Sequence, residues 1–186
     1  MTDGRSFRAT GYAIGGLGAT LKERAVALAQ REEEAMLDDL VSLLLFRLGD
    51  EWYAFPIDGV REIYNEYRVA RIPRVPGHIL GVINVRGEIV SVTDLGTLFR
   101  VPGRAPLTLA DELPSAIIVE RNEHVTAVVV DEIGDIVGIP ALSVEPAVST
   151  LDKAQAEFVS GTVYLDGRLV AILNLEKLVE PIGAGA

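Results

Sequence analysis

The sequence contains an internal duplication, and this feature restricts the possible fold more than any other. Residues 78–98 read HILGVINVRGEIVSVTDLGTL, and residues 158–178 read FVSGTVYLDGRLVAILNLEKL. The two segments align without a gap, so that Gly161 falls on Gly81, 80 positions earlier. In each segment two apolar runs flank a pair that contains glycine, and this pattern is typical of a β-hairpin.

The segments that precede the two hairpins also match each other. Residues 44–63, LLFRLGDEWYAFPIDGVREI, align with residues 117–136, IIVERNEHVTAVVVDEIGDI, and place Asp58 on Asp131. Two matches in the same order predict that the chain from about residue 41 onward holds two copies of one small β-unit. Short strands separated by turn signals favour barrels or a sandwich. With a duplication, we expect two small barrels packed side by side.

Helices are predicted at both ends of this β-region. Residues 1–19 are rich in glycine and small polar residues, which favours a flexible leader. A capping-box pattern at residues 20–23 predicts a helix that runs to about Leu40. This helix either packs on its own domain or forms an arm that binds a partner or a second copy. A short C-terminal helix is predicted at residues 175–179.

Composition and charge exclude several classes of protein. The chain has 186 residues and no cysteine, which rules out disulfide frameworks, thiol catalysis and cysteine-based metal sites. The net charge of −10 repels phosphate backbones, and no basic cluster is interleaved with aromatic residues, so we expect no nucleic-acid binding. No stretch is apolar over the length of a membrane span, and the N-terminus lacks the pattern of a signal peptide. We therefore expect a cytoplasmic protein without membrane insertion.

The residues that usually carry catalysis are scattered along the chain. His78 and His124 lie at unrelated points, and neither has an acidic residue or a histidine at the spacing of a metal site. No serine has the setting of a nucleophile elbow. Asp58 and Asp131 occupy equivalent places in the two copies, which favours a structural role such as capping a turn. We expect no catalytic residue, no metal site and no cofactor.

Arg86 is the residue that most favours a binding role. It lies in the Arg86-Gly87 turn of the first hairpin, where the second copy has Asp166-Gly167. If the turn is type I′, arginine costs some stability, because it tolerates a left-handed backbone less well than aspartate does. That cost would favour a recognition role, such as bidentate bonds to a partner's carboxylate. If the turn is type I with a glycine bulge, arginine fits freely and the argument weakens.

Several stretches of the sequence together resemble a known family. GVINVRGEIVSVTDL, with FRLGDEWYAFPIDGVREI before it and VVVDEIGDIVGI after it, resembles the CheW-type chemotaxis coupling proteins. The likeness extends from about Leu43 to Val179. It implies an all-β fold of two SH3-like five-stranded barrels that share a core, with an N-terminal helix and a short C-terminal helix.

The domain boundaries follow from this resemblance and from the duplication. We expect a flexible leader and helical arm at residues 1–40 and a CheW-like domain at residues 41–186. Within that domain, the first barrel is expected mainly at 41–105 and the second mainly at 106–180.

The resemblance also implies an adaptor without catalytic activity. Such a protein would couple the cytoplasmic tips of chemoreceptors, the methyl-accepting proteins, to the regulatory domain of a chemotaxis histidine kinase. Other CheW-like domains are further candidate partners. The alternative function is that of an adaptor in a non-motility or pilus chemosensory pathway, or of a modulator of array assembly.

The predicted partner-binding residues combine the turn with the resemblance. Val60 and Glu62 resemble positions that the family uses for receptor contact, and Ile136 matches Ile63 as a position that lines a groove. Gly81 is either a binding position or a point where two backbones approach closely, since Gly161 repeats it. The predicted set is Val60, Glu62, Gly81, Asn84, Val85, Arg86, Gly87 and Ile136.

Overall fold

The chain divides into two compact units, Met1–Asp39 and Leu40–Ala186. The computed structural model describes residues 26, 39–110, 112–147 and 153–179. Val26 is helical and 56% exposed. The predicted leader and the other residues of the predicted N-terminal helix up to position 38 lie outside the described residues. Among the residues that are described, no helix is long and apolar enough to cross a membrane.

The described part of the second unit is built mainly from strands. These are β1 (Leu40–Leu48), β2 (Glu51–Pro56), β3 (Val60–Tyr64), β4 (Ile79–Val85), β5 (Glu88–Asp94), β6 (Ala116–Arg121), β7 (His124–Val129), β8 (Glu132–Pro140), β9 (Val159–Leu165) and β10 (Arg168–Leu173). The helices are α1 (Leu95–Leu98), α2 (Lys153–Ala156) and α3 (Leu175–Val179), and 3-10 turns span Ile57–Gly59 and Ala141–Ser143. The predicted all-β class and the predicted C-terminal helix are confirmed.

Each of the two five-stranded sheets takes strands from both copies of the duplication. Sheet A has the order β8-β1-β2-β10-β9, and sheet B has the order β3-β6-β7-β5-β4. Strands β1 to β5 belong to the first copy and β6 to β10 to the second, so the two copies exchange their last three strands. The predicted division into barrels at 41–105 and 106–180 does not match this order. The reason is that β10 pairs in parallel with β2, and β5 pairs in parallel with β7. In each sheet, the backbone groups at the open edge of one copy's hairpin are therefore hydrogen-bonded to a strand of the other copy.

The strand register repeats as faithfully as the sequence does. Tyr53 on β2 pairs with Ala171 on β10. The equivalent residues of the other copy, Thr126 on β7 and Ser91 on β5, form the corresponding pair in sheet B. The two sheets therefore have equivalent strands in the same order and register. A residue in one sheet can be compared directly with its equivalent in the other.

The buried apolar side chains form three clusters, one of which joins the two sheets. Leu43 belongs to a cluster formed by sheet A alone, and Ile83 to one formed by sheet B alone. The largest cluster draws on both sheets and includes Phe46 and Phe55 from sheet A and Ile117 from sheet B, all fully buried. Burial of each such side chain contributes roughly 1.5–3 kcal/mol. This cluster is the predicted shared core.

Candidate partner-binding surface

The Arg86-Gly87 turn has the geometry that makes an arginine costly. Val85 pairs with Glu88, so the loop of the hairpin contains only two residues. Their φ angles are 52° for Arg86 and 95° for Gly87. Two positive φ values in a two-residue loop are typical of a type I′ turn, which excludes the alternative with a glycine bulge. A left-handed conformation costs roughly 1–2 kcal/mol for most L-residues. Arginine is therefore not the residue that turn formation alone would favour.

The Arg86 guanidinium is exposed and held by one carboxylate. Its Nη2 donates to Oε2 of Glu62 on β3 at 2.8 Å, and the side chains are 79% and 21% exposed. The hydroxyl of Tyr64 and then the charge of Glu62 raise the pKa of Arg86, so the guanidinium stays charged. An ion pair this exposed adds little to stability. We therefore expect the domain to fold without Arg86, whose side chain is mostly accessible to solvent.

Ion pairs between edge strand β3 and the β4–β5 hairpin at the opposite side of sheet B show that this sheet is curled into a barrel. β3 lies at one edge of the sheet and β4 at the other. Besides the pair of Arg86 with Glu62, Nη1 of Arg61 on β3 donates to Oε2 of Glu88 at 3.0 Å. Side chains from β3 and from the β4–β5 hairpin meet only if the sheet bends back on itself. The curvature therefore brings Glu62 and Arg86 together, although 24 residues separate them.

The other residues of the predicted turn motif support the turn from within the protein. Oδ1 of Asn84 accepts from the backbone N–H of Gly87 at 2.7 Å, which closes the turn. Val85 is 1% exposed and belongs to the interior of sheet B. In this conformation Val85 offers no surface to a partner, and Asn84 and Gly87 hold the backbone on which Arg86 is displayed.

Gly81 is a point of close backbone approach. Val82 and Ala70 exchange two backbone hydrogen bonds, of 2.8 Å and 2.9 Å. A Cβ added at Gly81 would lie 2.2 Å from the carbonyl oxygen of Ala70, well inside contact distance. At the equivalent Gly161, a Cβ would lie 2.9 Å from the carbonyl oxygen of Glu145. Both copies thus need glycine for the same steric reason, which supports the structural alternative for Gly81.

A pair of isoleucines marks the rim of the shared core. Ile136 on β8 is 62% exposed, and its equivalent Ile63 on β3 is 42% exposed. Their cross-strand partners, Leu44 and Ile117, are buried members of the shared core. Val60 packs against the same core and is half-buried. Ile136 therefore lies on sheet A, whereas the other predicted residues lie on sheet B, and the predicted set divides between an apolar rim and a charged turn.

A buried ion network that the sequence did not reveal ties the two sheets together. Arg104, in the connection between the copies, is 7% exposed and donates from Nη1 to Oδ1 of Asp94 at 2.6 Å. Its Nε donates to Oδ1 of Asp131 at 2.8 Å. Asp131 also accepts from the backbone N–H of Gly49 at 2.7 Å, in the β1–β2 turn. The predicted turn-capping role of Asp131 is confirmed. The connection offered no periodic pattern from which Arg104 could have been identified.

The environment of Asp131 favours its charged form. Burial alone would raise the pKa of this carboxyl, but the hydrogen bonds from Arg104 and from the Gly49 N–H outweigh burial and lower it. The equivalent Asp58 is more exposed and accepts from Nη1 of Arg121 at 2.9 Å. The two copies therefore use the same aspartate differently.

The two histidines, which looked unrelated in the sequence, line one groove of about 570 Å³ on sheet B. Burial lowers the pKa of His78, and the charge of Asp94 opposes that effect. Nδ1 of His124 lies 2.8 Å from the carbonyl oxygen of Asn122. Among the described residues, no group of three or more histidine or carboxylate side chains is placed to hold a metal ion.

The exchanged sheets and the shared core define a double β-barrel domain. Residues 42–182 match the CheW-like domain family. The chain therefore belongs to this family, and the resemblance noted in the sequence is confirmed. Membership supports a scaffold or adaptor role in chemotaxis and indicates a non-catalytic protein.

Relatives and a solved structure show the same likeness. The chemotaxis protein CheW of Klebsiella aerogenes is 32% identical over 136 residues, which are 73% of this chain and 80% of the relative. Protein FrzA of Myxococcus xanthus is 30% identical over 160 residues, 85% of this chain and 92% of the relative. The crystal structure of scaffolding protein TtCheW from Thermoanaerobacter tengcongensis has a TM-score of 0.67 at 30% identity, and the match covers 78% of this chain and 97% of that one. The SH3-like two-barrel fold is confirmed.

Proposed function

We propose that this chain is a cytoplasmic adaptor that couples chemoreceptor tips to the regulatory domain of a chemotaxis histidine kinase. Family membership supports the general role. The observation that carries the proposal is the exposed Arg86 guanidinium, held by Glu62 on a turn where arginine is conformationally costly. Such a residue is explained more readily by recognition than by folding, and a guanidinium binds carboxylates in a bidentate manner.

The divided site supports an adaptor with two kinds of contact. The charged turn on sheet B is suited to a carboxylate of one partner. The exposed Ile63 and Ile136 at the rim of the shared core are suited to apolar side chains, such as those of an amphipathic helix in a receptor tip. Because the exchanged strands and Arg104 connect the sheets, the two contacts are held at a fixed distance. A rigid adaptor of this kind would let the state of one partner bias the state of the other.

The experiment compares Arg86→Ala with its matched control Asp166→Ala, at the equivalent turn of the other copy. Affinities for a kinase regulatory domain and for a receptor tip fragment are measured by calorimetry at fixed salt. We expect Arg86→Ala to weaken at least one affinity about tenfold, as expected for a charge-assisted hydrogen bond. Asp166→Ala should leave both affinities unchanged. Wild-type affinities in a folded Arg86→Ala variant would contradict the assignment of this turn.

The relative FrzA supports a second candidate within the same class. Its similarity spans 85% of this chain, and the second candidate is an adaptor of a non-motility or pilus chemosensory pathway. Array modulation and binding to other CheW-like domains belong to the same proposal. Co-purification with kinases and receptors from each chemosensory gene cluster of the source organism distinguishes these alternatives.

A further inference from the structure

The loop that connects β3 to β4, residues 65–78, contains arginines without partners, and we call it the basic loop. Most of the described arginines contact a carboxylate or an aromatic ring of the protein, namely Arg47, Arg61, Arg86, Arg104, Arg121 and Arg168. Among the residues that the structure describes, Arg68, Arg71 and Arg74 of the basic loop form no ion pair or hydrogen bond. All three side chains are exposed.

The equivalent connection of the other copy, residues 141–158, carries the opposite charge. The basic loop contains three arginines and one acidic residue, Glu66. Residues 141–158 contain one lysine, no arginine, and the acidic residues Glu145, Asp152 and Glu157. Each connection is anchored by one isolated β-bridge to the hairpin that follows it. Anchoring the connection therefore does not require the arginines.

Arg74 has a backbone conformation that is costly for an arginine, as Arg86 does. It follows Pro73 in a turn, and its φ angle is 63°. A proline followed by a residue with positive φ is typical of a type II turn, in which glycine or asparagine is favoured at the second of these positions. An arginine at this position is therefore not explained by turn formation.

A small apolar pocket lies beside Arg71. Its volume is about 250 Å³, and its lining includes Ile72, Val75, Leu107 and Leu109. Ile72 is 36% exposed, so covering it would remove apolar surface from water. The pocket is smaller than the usual site of a drug-sized ligand, but it is large enough for one aliphatic side chain.

Arg68 borders a second pocket, in which the charges are mixed. That pocket also contains Glu66 and Glu112, neither of which forms an ion pair with Arg68. The two carboxylates nevertheless reduce the positive potential at this end of the loop. Arg71 and Arg74 are therefore the main cations of the basic loop.

The net charge of −10 determines the length of anion that such a loop can bind. At physiological ionic strength the Debye length is about 8 Å, so more distant carboxylates of the protein are largely screened. A short acidic segment on the loop interacts mainly with the nearby guanidinium groups. A long polyanion, such as a nucleic acid, would extend over the acidic remainder of the surface and be repelled.

We propose that the basic loop is a docking site for an extended acidic segment of a partner protein, in which an apolar side chain lies between two carboxylates. Successive arginines of the loop are three residues apart, so their Cα atoms are at most about 11 Å from each other. Carboxylates three residues apart on an extended segment have a similar spacing of about 10 Å. They bind Arg71 and Arg74, and the apolar side chain enters the pocket beside Arg71.

This site is distinct from the proposed coupling surface. It contains neither Arg86 nor the exposed isoleucines at the rim of the shared core, and it does not depend on the coupling function.

The first experiment titrates the full-length ¹⁵N-labelled protein with the heptapeptide EVTEVTE, blocked at both ends. We expect saturable shifts at the backbone amides of Arg71, Ile72 and Arg74, with a dissociation constant on the order of 1 mM. The uncharged peptide QVTQVTQ should bind at least tenfold more weakly, because each exposed ion pair contributes up to about fivefold. EATEATE, which lacks the larger apolar side chain, should bind about fivefold more weakly. Shifts that do not saturate, or a control peptide that binds as tightly as EVTEVTE, would overturn the proposal.

Substitutions of single arginines test the location of the site. Arg71→Gln should weaken EVTEVTE binding about fivefold, and Arg68→Gln should weaken it less, because of the glutamates nearby. Arg121→Gln changes the net charge equally but removes an arginine that is paired with Asp58, so it is the control and should bind like the wild type. Equal losses in Arg71→Gln and Arg121→Gln would show that only the net charge matters and would refute the site.

Arg74→Asn separates recognition from folding. Asparagine tolerates the left-handed backbone, so this variant should have a higher midpoint of thermal unfolding while it binds EVTEVTE about fivefold more weakly. Wild-type affinity in the folded double variant Arg71→Gln with Arg74→Asn would contradict the proposal.

Two other anions test whether the partner is a polypeptide. Heptathymidylate and vesicles that contain phosphatidylglycerol should each bind at the basic loop more weakly than EVTEVTE, because neither places an apolar side chain between two carboxylates. Tighter binding of either probe at the same amides would overturn the assignment to an acidic protein segment.

Discussion

The two sheets share one strand order and one register, yet they have diverged in three places that matter for function. At the second hairpin turn, sheet A has Asp166 where sheet B has Arg86, with nearly equal φ angles of 50° and 52°. Beside the parallel strand pair, sheet A has the Tyr53 ring and a pocket of about 400 Å³, whereas sheet B has Thr126 and a groove of about 570 Å³. Where β5 and β10 end, sheet B has the buried Asp94 and sheet A has Asn174.

This difference teaches which parts of the duplicated unit are constrained by folding. At positions where the copies have the same residue, such as Gly81 and Gly161, the close approach of a second backbone requires that residue. Positions where they differ while the backbone stays the same are free of that requirement. At the hairpin turn, sheet A therefore has a residue that tolerates a left-handed backbone, and sheet B has an arginine that displays a charge.

The largest expected effect comes from removing the buried cation. Arg104→Met would leave the Asp94 carboxylate, 1% exposed, without its cation, and we expect the free energy of unfolding to fall by about 3–5 kcal/mol. The measurement is equilibrium unfolding in urea. Arg168→Met, which removes an arginine 5.2 Å from the Trp52 ring on the surface, is the control and should cost about 1 kcal/mol or less.

A double variant sharpens this comparison of the strand ends. Asp94→Asn copies the neutral Asn174 of the other sheet, whose Oδ1 accepts from the Glu176 N–H at 3.0 Å. Combined with Arg104→Met, it should recover part of the lost stability, because the unpaired buried charge is gone. A double variant that is less stable than Arg104→Met alone would show that the network acts through shape and not through charge.

The next effect comes from making sheet A more like sheet B. Phe99→Val copies Val179 and removes a buried ring that contacts both Tyr53 and Phe158. We expect a loss of about 2–4 kcal/mol in the free energy of unfolding, from lost transfer energy and a residual cavity. The reciprocal Val179→Phe should cost less, because the groove offers space. Equal losses would show that the positions of Phe99 and Val179 are packed equally tightly.

A smaller effect is expected from acid. Because the pKa of Asp131 is lowered by folding, its charged form contributes stability that is fully present above the ordinary value of 3.8 and is lost as the pH falls through the folded pKa. Urea unfolding at a series of pH values below 5 should show this loss in the wild type. Asp131→Asn should be less stable at neutral pH and should show a weaker dependence on acid. Asp58→Asn, at the more exposed equivalent, is the control and should retain the dependence.

The smallest effect tests whether Arg86 is kept at a conformational cost. Asparagine tolerates a left-handed backbone, so Arg86→Asn should raise the free energy of unfolding by about 0.5–1 kcal/mol while it weakens partner binding. Asp166→Asn replaces one tolerant residue by another and should change stability very little. A loss of stability in Arg86→Asn would show that the ion pair with Glu62, and not recognition, explains the arginine.

Local sequence patterns predicted the strands but not which strands pair with each other. The two apolar runs on either side of Arg86-Gly87 predicted the hairpin of β4 and β5. The exchange of strands was not predictable, because an apolar run such as Val170 to Leu173 fits beside any strand of matching polarity. Only the parallel contact with Trp52 to Ala54 decides which copy it joins.

The candidate site was predicted in part for the same reason. Arg86 was identifiable because the residues of a turn alone determine which side chains the turn tolerates. Its partner Glu62 was also in the predicted set, but the barrel curvature that brings the two side chains together could not be predicted from the sequence. The groove was not predicted because its walls come from five separate stretches, at residues 76–82, 89–98, 124–126, 157–158 and 177–179. Arg104 lies in an irregular connection, where position in the sequence carries little information about burial.

The exchange of strands has a consequence for the origin of the molecule. If the connection between the copies were cut, each half would be a chain whose first two strands pair with the last three strands of its neighbour. That is the geometry of an interlocked homodimer with a twofold axis. A gene fusion of two such subunits would give the present single chain without any change of contacts. After the fusion, the two halves would no longer need to have the same sequence. One half could then keep the ancestral packing while the other acquired new surface side chains.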